Sequence, residues 1–147
     1  MSDIRKEVIS MLNRALELEH AARIQYLAHA EKIKGLGSES LIGRLKEIAS
    51  DEQKHEEKFR TLICAYLGGD ASMKLAETFE ADGPQKILEV NMKGEKDAID
   101  FYKKIYQKIV ENKKEFPYEF ERLEHELRHV ILDEQEHVTE IAALQGK

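Results

Sequence analysis

The sequence has 147 residues, with 23 Lys and Arg against 29 Asp and Glu, so its formal net charge is −6. This length predicts a single domain, residues 1–147, with a core large enough to fold without disulfides. The acidic balance argues against nucleic acid as a partner, and no apolar stretch approaches the roughly 20 residues of a membrane span. No secretory signal is predicted, and the lone Cys64 cannot form an internal disulfide, which favours a reducing, cytoplasmic location.

Apolar residues recur with helical spacing in four segments that are separated by clear breaks. Glycines follow the first two segments, and a proline opens each of the last two, as is common at helix ends and starts. The predicted helices, A to D, cover about residues 3–34, 40–67, 84–112 and 117–144.

The lengths of the connections predict how these helices are arranged. Helices A and B, and likewise C and D, are joined by about five residues, which makes each pair an antiparallel hairpin. Residues 68–83 could span roughly 50 Å when extended, enough to cross the length of a bundle. The sequence therefore predicts an all-α antiparallel four-helix bundle, two hairpins joined by a long crossover. Within the crossover, Met73–Phe79 is predicted to form a short turn of helix.

Each predicted helix carries ionisable residues in the middle of an apolar seam. Helices B and D carry Glu-x-x-His, a spacing that projects both side chains from one helix face. Helices A and C carry one seam glutamate each. If the four seams face one core, six ionisable side chains meet at one level: Glu19, Glu52, His55, Glu95, Glu134 and His137.

A core cannot hold these groups as bare charges, because burying an unpaired carboxylate is strongly unfavourable. Four glutamates carry four negative charges, which two divalent cations would neutralise. Carboxylate and imidazole ligands suit iron or manganese, and the lack of thiolates excludes an iron–sulfur cluster. One glutamate from each of two helices plus Glu-x-x-His from the other two is the ligand pattern of di-iron carboxylate bundles, so a dinuclear metal site is predicted.

The two Glu-x-x-His pairs lie in a repeated pentapeptide, Asp51-Glu-Gln-Lys-His55 and Asp133-Glu-Gln-Glu-His137. The halves A–B and C–D therefore look like a duplicated hairpin, which would bring equivalent ligands together across a pseudo-two-fold axis. Two further Glu-x-x-His pairs, at Glu17 and Glu126, fall off the seams and are predicted to be solvated.

Several motifs together resemble bacterioferritin, and the resemblance covers all four helices. Asp51-Glu52-x-Lys54-His55 and Asp133-Glu134-x-x-His137 look like that family's second and fourth helix motifs. The run similar to its first helix is Leu12-Asn13, Glu19, Ala22, Gln25-Tyr26 and His29-Ala30. The resemblance implies a ferritin-like fold and two iron ions held by the six seam residues, with Glu52 and Glu134 bridging.

The sequence differs from these families at three points, and each difference removes a family property from what is expected here. Gln53 replaces the methionine through which bacterioferritins bind haem, so no haem is expected. The chain ends at Lys147 directly after helix D, without the family's fifth helix, so a closed cage is not expected. The related rubrerythrins have an extra helix C glutamate and a Cys-rich domain, whereas the flanking positions here are Met92 and Ala98 and Cys64 is alone.

Four other residues have more than one interpretation. Asp51 and Asp133 could accept the second ring N–H of the ligand histidines, within a helix or across the bundle, or could be solvated. Tyr26 and Tyr102 could hydrogen-bond a ligand carboxylate, supply an electron, or pack in the core.

A second group is predicted to have no part in the site. His125 and His129 are predicted to be solvated rather than to form a surface metal site. His29 is predicted not to be a ligand, and Cys64 is predicted to be a small packed side chain. The run Glu56-Glu-Lys58 is predicted to be ordinary solvated surface.

Three functions are compatible with this pattern. The first is a non-haem di-iron oxidoreductase that oxidises Fe(II) with O₂ or hydrogen peroxide, for iron detoxification, storage or peroxide removal; an external electron donor could take part. The second is a di-manganese, mixed-metal or rubrerythrin-like peroxidase. The third is a structural or interaction bundle that only retains metal.

Helix A has a second apolar line outside the seam, formed by Ile9, Leu16, Ile24 and Leu27, with Ala28 beside it. Part of this line should have no partner within one bundle. Exposed apolar patches usually mark interfaces, and two-fold dimers are the commonest closed assembly, so a homodimer is predicted.

Overall fold

The computed structural model describes all 147 residues, which form four long helices and no strands. The helices are α1 (Asp3–Lys32), α2 (Ser38–Thr61), α3 (Pro84–Glu111) and α4 (Phe120–Leu144). Helix α2 continues as a π-helix, Leu62–Tyr66, and a 3₁₀ turn, Lys113–Glu115, follows α3. The predicted all-α four-helix bundle is confirmed. No helix is both long and apolar enough to cross a membrane.

Helix α1 packs along α2 and α3 packs along α4, which makes the two predicted hairpins, and α1–α3 and α2–α4 contacts close the bundle. Two buried apolar clusters fill its two ends. One contains Leu12, Phe59 and Leu127, and the other contains Ile48 and Ile87. The six ionisable seam residues are buried as well, each at most 3% exposed. The apolar ends thus enclose a polar middle, as the seam pattern predicts.

The crossover between the hairpins, residues 68–83, runs along the outside of α1 without the predicted helical turn at Met73–Phe79. The reason is that its polar groups bond to α1. The amide of Ala76 donates to the carbonyl of Glu17 at 3.0 Å, and the amide of Phe79 donates to Oε1 of Gln25 at 2.7 Å. A backbone amide that bonds to a neighbouring helix cannot also serve a local helical turn.

The π-helix changes which residues at the end of α2 face the core. Regular three-and-four spacing would put Tyr66 on the seam of helix B, but Tyr66 is 36% exposed, whereas Ile63 and Leu67 are buried. A π-turn holds more residues than an α-turn, so the three-and-four spacing loses phase beyond Leu62. The same change places Cys64 on the outer face, so its prediction as a packed side chain is wrong.

Helix α4 begins at Phe120 rather than at Pro117. The segment before it forms a turn around Phe116, which is fully buried and whose carbonyl accepts from the amide of Phe120 at 3.0 Å. The buried ring of Phe116 thus anchors the C–D connection and leaves Pro117 outside the helix.

Candidate metal centre

The structure brings all six predicted seam residues to one level of the core. Each helix supplies its share: Glu19 from α1, Glu52 and His55 from α2, Glu95 from α3, and Glu134 and His137 from α4. Regular α-helical backbone runs through every one of these positions, so the three-residue spacing of Glu-x-x-His places each pair on one face. The centre is therefore built on rigid elements rather than on loops.

The candidate ligand atoms form two overlapping sets, and within each set the atoms lie within 4.8 Å of one another. The first set is Glu19, Glu52, His55 and Glu134, and the second is Glu52, Glu95, Glu134 and His137. His55 Nδ1 is 2.9 Å from Oε1 of Glu134, and His137 Nδ1 is 3.3 Å from Oε1 of Glu95. Glu52 and Glu134 belong to both sets, so the two sets lie side by side.

Each histidine is held by an aspartate of the opposite hairpin. Nε2 of His55 is 2.9 Å from Oδ2 of Asp133, and Nε2 of His137 is 2.9 Å from Oδ2 of Asp51. Because a carboxylate oxygen accepts, each Nε2 donates, so once a ring has lost its second proton its lone pair lies on Nδ1, which faces the glutamates. Asp51 and Asp133 thus orient the imidazoles, across the bundle rather than along one helix.

Tyr26 and Tyr102 hydrogen-bond the glutamates of the facing helix, as one interpretation of their hydroxyls predicts. Tyr26 donates to Oε1 of Glu95 at 2.7 Å, and Tyr102 donates to Oε1 of Glu19 at 2.8 Å. Both rings are almost completely buried. The two tyrosines therefore fix one oxygen of each glutamate and leave the other free.

Burial and the crowding of carboxylates shift the pKa values of these groups. Burial, reinforced by the charge of Glu19, raises the pKa of Glu52 and of Glu134 well above the usual range. Burial acts to lower the pKa of His55, but the charge of Glu19 and a hydrogen bond to Asp133 outweigh it and raise that pKa to about 12. Because metal ligands must be deprotonated, a cation that binds here displaces protons.

The donor set fits a pair of metal ions. Each of the six residues has one buried side-chain atom without a hydrogen-bond partner, a costly arrangement for a polar group. These atoms are Oε2 of Glu19 and Glu95, Oε1 of Glu52 and Glu134, and Nδ1 of His55 and His137. Six unpartnered atoms of four carboxylates and two imidazoles are a suitable set for two divalent first-row cations.

The histidines predicted to lie outside the centre are outside it, but not all of them are surrounded by solvent as predicted. His20 Nδ1 lies 2.6 Å from the carbonyl of Lys74, and Glu17 accepts from the hydroxyl of Ser72 at 2.6 Å, so this Glu-x-x-His pair holds the crossover instead. His129 lies against the more exposed His125 on the outside of α4, with ring centroids 4.3 Å apart.

Sequence reasoning missed two buried polar groups. Glu56, predicted to be solvated surface, is 3% exposed and pairs with Arg23 of α1 and, at 3.6 Å, with His20. Asn91 is 2% exposed and bonds to Nδ1 of His29 and to Gln25. Asn91 lies on the seam of helix C between Leu88 and Glu95, where regular spacing requires a residue that faces the core. A polar residue at this position was the sequence feature that could have indicated its burial.

Comparisons with known proteins agree with this architecture. The family model described as Ferritin-like domain matches residues 9–147. A bacterioferritin of Rhodobacter capsulatus is 30% identical over 97 residues, which are 66% of this chain and 60% of that protein. The aligned region thus spans about 60% of the length of that curated relative.

Two solved structures are similar over almost the whole chain. One is a ferritin-like, diiron-carboxylate protein of Bacillus anthracis, 27% identical with a TM-score of 0.88, covering 98% of this chain and 99% of that one. The other is the R. capsulatus bacterioferritin, described with a metal-free dinuclear site and a heme iron. It is 26% identical with a TM-score of 0.83, covering 94% of this chain and 82% of that one.

The fold and the centre together define a class of protein: an all-α four-helix bundle with a buried carboxylate and histidine cluster suited to metal. Within that class, the chain belongs to the ferritin-like family.

Proposed function

We propose that the chain is a non-haem di-iron protein that oxidises Fe(II) with O₂ or hydrogen peroxide. The observation that carries the proposal is the pair of overlapping ligand sets, each built from buried carboxylates and one histidine. The similarity to a diiron-carboxylate protein and to a bacterioferritin supports iron as the metal. The physiological result would be iron storage or detoxification, or removal of peroxide.

Each residue of the centre has a proposed role. Glu19 and His55 would hold one ion and Glu95 and His137 the other, and Glu52 and Glu134, which belong to both sets, would contribute to both. Iron held there would supply the two electrons that, with two protons, reduce one hydrogen peroxide to two water molecules. The protein keeps the ligands in place: Tyr26, Tyr102, Asp51 and Asp133 orient them, and the apolar clusters above and below exclude water.

Metal analysis combined with Fe(II) oxidation tests the proposal. Protein purified from iron-rich culture should hold about two iron ions per chain and oxidise added Fe(II) under O₂ or peroxide. Glu52→Gln removes a carboxylate shared by both ligand sets, so this variant should lose both ions and the oxidation. Glu57→Gln, at an exposed position of the same helix, is the matched control and should behave as the original chain.

The outcomes of this experiment separate the alternatives. Manganese in place of iron would favour the peroxidase function. Metal that is bound without any Fe(II) oxidation would favour a structural role. If no transition metal is found at all, the proposal is wrong.

We also infer that the chain forms a homodimer through α1. Ile24 and Leu27 remain 41% and 39% exposed, and Ala28 beside them is exposed as well. Leu16, on the same predicted line, is buried within the chain. The exposed part of the line is an apolar patch that a second copy can cover. The unpaired, exposed Cys64 supports a reducing compartment, and we propose the cytoplasm.

A further inference from the structure

The centre has two different sides. On the α2–α4 side lie the histidines and the aspartates that hold them. On the α1–α3 side lies a cavity of about 380 Å³, whose inner wall includes Glu52, Glu95 and Glu134. This volume falls within the range of small-molecule sites, and far exceeds what one dioxygen or one metal ion needs.

The cavity exists because side chains are small where α1 and α3 face each other. Ala21 and Ala22 line it from α1, and Gly94 and Ala98 line it from α3. Gly94 is in the interior of α3, where glycine costs about 1 kcal/mol relative to alanine. A Cβ at this position would meet no atom within 4 Å, so close packing does not require the glycine. The glycine instead leaves the space beside Glu95 open.

The remaining walls are mainly apolar and aromatic. Leu18 of α1, Phe101 of α3 and Phe79 of the crossover line the cavity, together with the rings of Tyr26 and Tyr102. The charged residues that line it outside the centre, such as Arg14 and Asp97, are exposed. Such a wall suits a planar, apolar molecule with little charge.

The inner polar groups can accept hydrogen bonds but have few donors left. The only protons of the Tyr26 and Tyr102 hydroxyls go to Glu95 and Glu19, so their oxygens can only accept further bonds. Amide protons of Asn91 go to the Ile87 carbonyl and to His29.

Gln25, the other amide in the wall, also uses its polar groups within the protein. It donates to Asn91 and accepts from the amide of Phe79. A molecule that fills the inner cavity therefore gains hydrogen bonds by donating them.

We propose that this cavity binds a neutral aromatic molecule with a hydroxyl donor, of the phenol or naphthol class, beside the metal centre. The hydroxyl points inward to the tyrosine oxygens, and the ring lies between the small residues of α1 and α3 with Phe79 and Phe101 around it. The inference deepens the proposed function and rests on it, because it gives that centre an organic ligand in addition to Fe(II) and the oxidant.

Fluorescence titration with 2-naphthol under nitrogen tests the proposal, using the complete chain with the metal it carries. Binding should be saturable. For 2-methoxynaphthalene, which has the same rings without the donor, binding should be weaker by roughly tenfold, since a hydrogen bond to the inner wall is lost. The same loss is expected for Gly94→Leu, whose side chain fills the cavity, and for Ala22→Leu on the facing helix.

Gly43→Leu is the matched control. Gly43 is also in a helix interior, with no atom within 4 Å of an added Cβ, but it lies away from the cavity. This variant should bind 2-naphthol as the original chain does. Circular dichroism of all three variants verifies that each is folded.

The results separate the two proposals. Absence of saturable 2-naphthol binding, or equal binding by the original chain, Gly94→Leu and Ala22→Leu, would overturn the cavity proposal. Equal binding of the two naphthalenes would overturn the donor requirement and with it the phenol class. Fe(II) oxidation is measured on separate portions of the same protein preparations without 2-naphthol, so it reports on the proposed function by itself.

Discussion

Asp51 and Asp133 lie four residues before the histidines of their own helices, yet each bonds to the histidine of the other. The bond to His55 lowers the pKa of Asp133, which keeps this carboxylate charged. A charged acceptor on Nε2 makes Nδ1 a better metal ligand. Sequence spacing alone suggested these roles but could not distinguish a bond within one helix from a bond across the bundle.

Removing the negative charge of the aspartate that holds a histidine should weaken metal binding. In Asp51→Asn the amide oxygen can still accept from His137, but its negative charge is gone, so we expect iron affinity to fall roughly 10–100-fold. Competition with a chelator of known affinity measures the loss. Asp100→Asn, at an exposed position of α3, is the control, and unchanged affinity in both variants would contradict the role of Asp51.

The positions of individual residues could be predicted where the apolar seam of a regular helix determines which side chains face the core. All six central residues follow from helical phase, because regular helix runs through each of them. Glu56 was not predictable, since its burial depends on Arg23 lying opposite it on α1, and the rotation of one helix against another is not encoded in a single seam. Tyr66 was misplaced because the phase changes at the π-helix.

Among the elements, the crossover shows most clearly what periodicity cannot predict. Its length correctly indicated that it returns along the bundle, but residues 68–83 have no regular pattern. Their conformation follows from bonds to α1 side chains and carbonyls far away in sequence. His29 is one of these anchors: its Nε2 lies 3.0 Å from the carbonyl of Phe79, and its Nδ1 lies 3.0 Å from Nδ2 of Asn91.

Because His29 can take up a proton, its bonds predict that the contact between the crossover and the bundle weakens at low pH. Nε2 of His29 donates to a carbonyl and Nδ1 accepts from an amide, so the ring is neutral. Burial lowers the pKa of His29 from 6.5, although the hydrogen bond to the Phe79 carbonyl and the charges of Glu80 and Asp82 act in the opposite direction. Below pH 6.5 the unfolded chain binds a proton that the folded chain resists, so the free energy of unfolding should decrease as the pH falls.

Urea unfolding at pH 7.5 and at pH 5.5 measures this effect. The loss of stability between these pH values should be smaller in His29→Gln, which lacks the titrating group, than in the original chain. His125→Gln removes an exposed histidine and should leave the loss unchanged. An equal loss of stability in all three proteins would mean that protonation of His29 does not contribute to the pH dependence of unfolding.

At the scale of the whole molecule, the exposed apolar patch on α1 predicts a dimer. Light scattering should give twice the chain mass of 17.0 kDa. Lysine at both Ile24 and Leu27 places charge in the middle of the patch, so this double variant should shift the protein to a monomer. Val110→Lys changes a similarly exposed apolar residue on α3 and should remain dimeric. A clean monomer, or a mass of many subunits, for the original chain would contradict the prediction.

The centre also has a consequence for how the two halves of the chain stay together. Neither hairpin contains a complete ligand set, because each set takes residues from both. Both histidine–aspartate bonds likewise run from one hairpin to the other. Metal bound here would cross-link residues 1–67 and 84–147, so a cut beside the exposed Met73 would leave two fragments that metal holds together in addition to the shared apolar clusters.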